Sequence, residues 1–211
     1  PGPKGNASKL RILDPACGSG SFLLGAYQFL LDWHHSEYLK TPDKWARGKN
    51  PVIYQNDRGD WQLTIGERKR ILLNNIYGVD IDPQAVEVTK LSLLLKVMEG
   101  ENEQTLGSQL RLLPERVLPD LSSNIQCGNS LIGPDFYDGQ QMSLGILDEE
   151  EMYRINVFDW EKAFPRIVPW GGFDAVIGNP PYDVLEKDRG KSSWPHDALR
   201  DYIPKRKDYQ P

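Results

Sequence analysis

With 211 residues, 39% of them hydrophobic and 26% charged, the chain has room for one domain with its own core, on the polar side of ordinary globular composition. No apolar stretch approaches the roughly 20 residues of a membrane helix, the first ten residues are polar with two prolines, and two cysteines are too few for a disulfide scaffold; a reduced cytoplasm is the expected setting. The formal net charge of −5 excludes a chain that grips duplex DNA through bulk charge alone, because such affinity comes from neutralised phosphates.

Leu10-Arg11-Ile12-Leu13 reads as a short strand. Asp14-Pro15-Ala16-Cys17-Gly18-Ser19-Gly20 follows, then the apolar run Ser21-Phe22-Leu23-Leu24 of a helix expected over about 20–40. Strand, glycine turn and helix in that order let an α/β sheet bring its backbone close to a nucleotide-like ligand. Only Gly18 and Gly20 fall in the turn, so it is not the dinucleotide fingerprint. No Gly-Lys-Ser/Thr follows, so it is not a phosphate-binding loop either. Asp14 puts a carboxylate at the strand's end, where it suits a ligand ammonium rather than a phosphate.

From Asp32 to Arg70 runs a long polar insertion with Trp33, Trp45 and Trp61 among scattered Pro and Gly. Simple nucleotide-binding folds need far fewer residues between their first two strands. It is either an excursion packed over a cofactor or DNA, or a decoration of the fold. Gly66–Asn75 is expected to form the helix leading into the second strand, with Ile71, Leu72 and Leu73 on its apolar side.

That second strand, 76–81, belongs to Ile76-Tyr77-Gly78-Val79-Asp80-Ile81-Asp82-Pro83. Pro83 is welcome at the first position of a helix over 84–98, and Asp82 before it reads as the N-cap. Asp80, an acid at the end of the second strand, is placed to hydrogen-bond both hydroxyls of a ribose. Asn124-Ile125-Gln126-Cys127-Gly128-Asn129-Ser130-Leu131 reads as a third strand, 124–127, ending in a polar turn that suits an adenine edge or is a plain loop. Glu149–Phe164 carries Met152, Ile155, Val157, Phe158 and Phe164 at spacings that suit a surface helix, with Asp148–Glu151 as its solvated start.

The fourth strand, 173–178, ends in the tetrapeptide Asn179-Pro180-Pro181-Tyr182. Asn179 and Pro180 each precede a proline and are driven toward extended geometry. The result is a stiff ledge offering one amide side chain, one free carbonyl and one aromatic ring. An exocyclic amine on a nucleobase is a poor nucleophile, its lone pair delocalised into the ring. Its two N–H groups can be satisfied by the Asn179 oxygen and the Pro180 carbonyl, which favours a more tetrahedral nitrogen. Tyr182 can stack on the base, which must first leave its duplex. Metal and hydrolase chemistry find no support: His34 and His35 are adjacent rather than on one helical face, His196 stands alone, and no Ser/His/Asp elbow or suitably placed carboxylate pair is present.

Together, Asp14–Gly20 with Phe22 and Leu23, Gly78–Pro83, Gly128–Leu131 and Asn179–Tyr182 resemble the γ-type DNA adenine-N6 methyltransferases, particularly those within type IIG restriction–modification enzymes. The resemblance covers most of residues 10–182. It implies an α/β, doubly wound, mostly parallel sheet of the S-adenosylmethionine-dependent methyltransferase type, incomplete here. By this likeness Asp14, Ala16, Cys17, Gly18, Gly20 and Phe22 border the methionine part of S-adenosyl-L-methionine. Asp80 holds the ribose, Ile81 packs on the adenine ring, and Asn129 and Ser130 meet the adenine. Asn179, Pro180, Pro181 and Tyr182 are the catalytic ledge, and no metal is implied. Two departures stand out: the family usually has Asp at 129 and an apolar or aromatic residue at 130.

The same resemblance implies residues 1–182 as catalytic core, 183–211 as a polar and mobile end, and a DNA-recognition domain, an upstream helix and further strands elsewhere in a longer protein. The partner is double-stranded DNA with a flipped adenine, with a restriction nuclease fused or linked. Protein-glutamine and RNA-guanine amino-methyltransferases use similar ledges and form the rival enzyme class. A fragment that only binds cofactor, or binds nothing, is the non-enzymatic alternative.

Overall fold

A computed structural model of the chain describes residues 6–100, 118–137 and 154–179. Pro180, Pro181, Tyr182, the acidic run 148–151 and the segment 183–211 lie outside the described residues.

Four short strands lie side by side in the order β5-β4-β1-β6, every pairing parallel. They are β1 (Ile12–Asp14), β4 (Ile76–Asp80), β5 (Ile125–Cys127) and β6 (Ala175–Val176). The register pairs Ile12 with both Ile76 and Ala175, and Gly78 with Ile125. From β1 the chain moves outward to β4 and β5, then returns to the other side of β1 for β6. Strand order therefore reverses beside β1, the place where open α/β sheets bind ligands at the strands' carboxyl ends.

Alternation along the strands sorts side chains onto two faces. Ile12 and Ile76 join Leu23, Leu30, Ile71, Leu72, Leu93 and others beneath α1 (Ser21–Leu39), α3 (Ile65–Asn75) and α4 (Pro83–Met98). Leu13 and Val79 point the other way into an aromatic cluster with Phe158, Phe164 and Ile167, flanked by Tyr77, Trp160 and Phe173. The expected doubly wound parallel arrangement is thus present in part. The helix boundaries agree with the sequence reading, and Asp82 caps α4 by accepting the Gln84 amide at 2.8 Å. β6 is shorter than its expected span of 173–178.

The 32–70 segment builds core. Its first residues simply continue α1 to Leu39; α2 (Pro42–Trp45) then leads to a hairpin of β2 (Ile53–Gln55) and β3 (Trp61–Leu63). Asn56 makes the turn, its Oδ1 accepting the Arg58 and Asp60 amides. Ile53 and Leu63 face each other across the hairpin and are buried with Tyr38. The Trp45 ring packs at a tilt against Tyr38, and the Trp61 carbonyl meets His35 Nε2 at 2.9 Å. The hairpin therefore sits on the half of α1 far from the glycine turn.

Under it lies a buried polar knot. Glu67 accepts from Tyr38 Oη and from Arg70, whose Nε and terminal nitrogen approach at 2.8 and 2.6 Å. His34, fully buried, has its Nδ1 4.0 Å from Glu67 and, among the described residues, no hydrogen-bond partner on either ring nitrogen. Burial pushes the imidazole from 6.5 down to about 4; Arg70 adds to the effect and Glu67 opposes it. A depressed pKa stabilises the fold above the unfolded value, and this is lost as pH falls toward 4. We expect about 3 kcal/mol of stability to drain between pH 6.5 and 4 through this residue. Urea midpoints across that range should flatten in His34→Leu; an unchanged slope would place the pH dependence elsewhere.

The expected helix over Glu149–Phe164 is not continuous among the described residues: Arg154 and Ile155 are helical, residues 156–159 are not, and a separate turn, Trp160–Ala163, follows, capped by Asp159. Before it, Asn156 takes a left-handed φ of 47°, and Val157 bridges Asn129 in parallel. The apolar spacing mimics a helix, but Phe158 is drawn into the sheet's second face. A Cβ on Gly128 would stand 2.4 Å from the Phe158 ring. Gly128→Ala should therefore cost about 1–3 kcal/mol in thermal or urea unfolding; a neutral effect would mean the ring moves aside freely.

Candidate functional site

The turn after β1 is fastened from three directions. Cys17 donates its amide to the Val79 carbonyl at 2.9 Å, extending the β1–β4 pairing by one step. Gly18 donates to Asp80 Oδ2 at 2.7 Å, and its carbonyl accepts from Thr89 Oγ1 at 2.7 Å. Gly20 closes the turn at φ +83°, where a side chain would be strained. A Cβ there would also lie 2.9 Å from Thr89. Thr89 is a residue the sequence reading missed. Its signal is a lone polar side chain in the buried stripe Val86, Thr89, Leu93 and Val97 of α4.

Two carboxylates border this turn. Asp14 is almost fully buried, and its Oδ1 accepts the Ala16 amide at 3.1 Å. Burial raises its pKa; the Ala16 hydrogen bond opposes this, and the Asp80 charge adds to the rise. Asp80 is half-exposed, with Oδ1 accepting from Asp82 and Oδ2 from Gly18. Each oxygen keeps acceptor capacity for a further donor. Buried Cys17, beside both acids, has its thiol pushed up to about 12, mainly by burial, and is no nucleophile.

The end of β5 joins this edge through Gly128, whose amide reaches the Asp80 carbonyl at 2.9 Å. Asn129 spends one acceptor site on the Leu131 amide at 3.1 Å, which leaves its Oδ1 with one more. Ser130 is half-buried, and its carbonyl accepts from Trp160 Nε1 at 3.3 Å. Asn156, also missed from sequence, returns to this rim and offers Nδ2 to the Ile81 carbonyl at 3.4 Å. Ile81 is exposed, as are Leu131 and, on the first turn of α1, Phe22.

The ledge begins at the same place. Ile177 donates to the Leu13 carbonyl at 2.8 Å, which carries the next residue, Gly178, against Asp14. A Cβ on Gly178 would stand 2.7 Å from Asp14 Oδ1, so glycine is what lets the two segments meet. Asn179 follows at once and is exposed. The structure therefore gathers Asp14, Ala16, Cys17, Gly18, Gly20, Asp80, Ile81, Asn129, Ser130 and Asn179 at the carboxyl ends of the four strands.

The donor set decides what kind of ligand fits. Two carboxylates beside a glycine turn repel phosphate and favour an ammonium and hydroxyl groups. Exposed Ile81 offers an apolar face for a flat ring. Among the described residues no three His, Cys, Asp or Glu side chains cluster as a metal site requires.

Comparison with known proteins agrees with this chemistry. Residues 5–112 match the family model of N-6 DNA methylases, and residues 74–210 match that of the Eco57I restriction-modification methylase. The chain is 32% identical over 83% of its length to the type II restriction enzyme and methyltransferase RM.Eco57I of Escherichia coli, covering 15% of that protein. It is 37% identical over 66% of its length to a putative type II restriction enzyme and methyltransferase of Methanocaldococcus jannaschii, covering 10% of it. It is also 28% identical over 86% of its length to the adenine-specific methyltransferase PglX of Streptomyces coelicolor, covering 13% of it. The chain thus spans a small part of each relative's length.

Proposed function

This chain belongs to the N-6 DNA methylases of the Eco57I restriction–modification type, and on that premise we propose that it forms the catalytic heart of an enzyme methylating the N6 amino group of adenine in a specific DNA sequence. The observation that carries the reading is the contact of Gly178, one residue before Asn179, with Asp14. Asn179, where the proposed amine-gripping ledge starts, thus lies beside the turn that suits the cofactor.

S-adenosyl-L-methionine, when bound, supplies an activated methyl group on a cationic sulfonium. Asp14, Ala16, Cys17, Gly18, Gly20 and Phe22 would border its methionine end. Asp80 would accept from the ribose hydroxyls with the lone pairs that Gly18 and Asp82 leave free. Ile81 would pack on the adenine ring, with Asn129 and Ser130 at its edge. Asn179 Oδ1 would accept one N–H of the target amine, localising its lone pair for attack, and the Pro180 carbonyl would accept the other. Tyr182 would stack on the flipped base. Holding nucleophile and electrophile in line supplies most of the acceleration, since the leaving group is neutral. The partner is double-stranded DNA, read by a recognition domain in the longer protein, with a restriction nuclease fused or linked. A cytoplasmic setting follows from such a role; among the described residues no helix is long and apolar enough to cross a membrane.

Calorimetric titration of the 211-residue chain with S-adenosylmethionine tests the cofactor half of the reading. We expect saturable, one-to-one heat. No heat at millimolar ligand would leave the chain without its cofactor.

A further inference from the structure

A cavity of about 910 Å³ opens at the opposite edge of the sheet, by the amino ends of β1, β4 and β5. A five-residue strand separates it from the methylation site by roughly 15 Å. Its lining includes Lys9, Arg11, Lys162 and Arg166 against one carboxylate, Asp120. Asp120 already accepts the Ser122 amide at 2.8 Å. None of the four cations forms an ion pair with a described carboxylate. Asp174 takes the Arg11 backbone amide at 2.7 Å but does not line the cavity.

Four cations with no ion pair to a described carboxylate, drawn from two distant stretches of sequence, are unexpected in a chain of net charge −5. Like charges gathered around one concavity repel, and the repulsion is relieved by a polyanion. Guanidinium forks match phosphate oxygens, and ammonium groups serve as point charges beside them. Exposed Ser123 and the half-buried ring of Tyr77 give the wall further polar and aromatic character. The volume falls within the range of sites for single small ligands rather than an open groove for a duplex.

We propose that this cavity binds a polyphosphate group, of the kind carried by nucleoside di- and triphosphates, at a site separate from that of the methyl donor. The chain should be titrated in low salt and without magnesium with ATP, with inorganic tripolyphosphate and with a short DNA duplex. Binding of ATP or tripolyphosphate, weakened at least tenfold in Lys162→Gln/Arg166→Gln and by added salt, is the expected result. Tighter binding of ATP identifies a nucleotide as the source, and equal binding identifies the inorganic chain. Affinity for S-adenosylmethionine should not change in the double variant, and its unfolding midpoint should match the parent; Lys9→Gln, on a separate segment, repeats the test. No binding of either polyphosphate at millimolar concentration, undiminished binding in the variants, or dependence of duplex binding alone on these residues would overturn the proposal.

Discussion

In the intact protein, Asn179→Ala is expected to lower methyl transfer to adenine about 10²–10³-fold while leaving affinity for S-adenosylmethionine within about twofold. The magnitude is that of removing one preorganised polar group aimed at charge developing in a transition state. The side chain is exposed and has no hydrogen bond within the protein among those described, so its loss should not disturb the fold. Its neighbour Gly178, in contrast, is wedged against Asp14, and side chains added there would test packing instead. Single-turnover transfer of a labelled methyl group, run beside cofactor titration, separates the two effects. Equal losses in transfer and in cofactor affinity would contradict the division between ledge and turn.

The second large effect is expected at Asp80. Asp80→Ala should weaken S-adenosylmethionine binding at least about 100-fold. The carboxylate holds the Gly18 and Asp82 amides, so its removal strips two backbone partners and the acceptor proposed for the ribose together. Leaving such donors unsatisfied costs about 1–3 kcal/mol each where water cannot replace the partner. Asp80→Asn should fall between parent and Ala, because one oxygen still accepts while the other becomes a donor facing donors. Calorimetry on the three proteins reads the order directly. Affinity within threefold of the parent in Asp80→Ala would remove Asp80 from the cofactor site.

Much of the architecture was legible because short apolar runs, glycines and prolines are local signals. The run before Asp14, the Pro83 helix start and the double proline after Asn179 each fix a strand end or turn without help from distant residues. Such signals place Asp14, Asp80, Asn129 and Asn179 at strand ends, and a parallel sheet then brings strand ends together. Thr89 and Asn156 were missed because their roles come from partners far along the chain: Gly18, 71 residues away, and Ile81, 75 away. The stretch before Phe164 shows the converse failure. Its apolar spacing satisfies a helix, yet Phe158 gains more by packing over Gly128 on the sheet's second face. Likewise the polar composition of 32–70 conceals Ile53 and Leu63, two fully or nearly buried residues that extend the core along α1. Pro180, Pro181 and Tyr182, proposed from sequence as part of the catalytic ledge, lie outside the described residues.

The most direct test is to incubate the intact protein with methyl-labelled S-adenosylmethionine and duplex DNA, digest the DNA to nucleosides and locate the label. Recovery in N6-methyladenine, absent from a parallel Asn179→Ala reaction, is the predicted result. Label found instead in protein glutamine, in RNA guanine or in no acceptor at all, with the cofactor demonstrably bound, would contradict it.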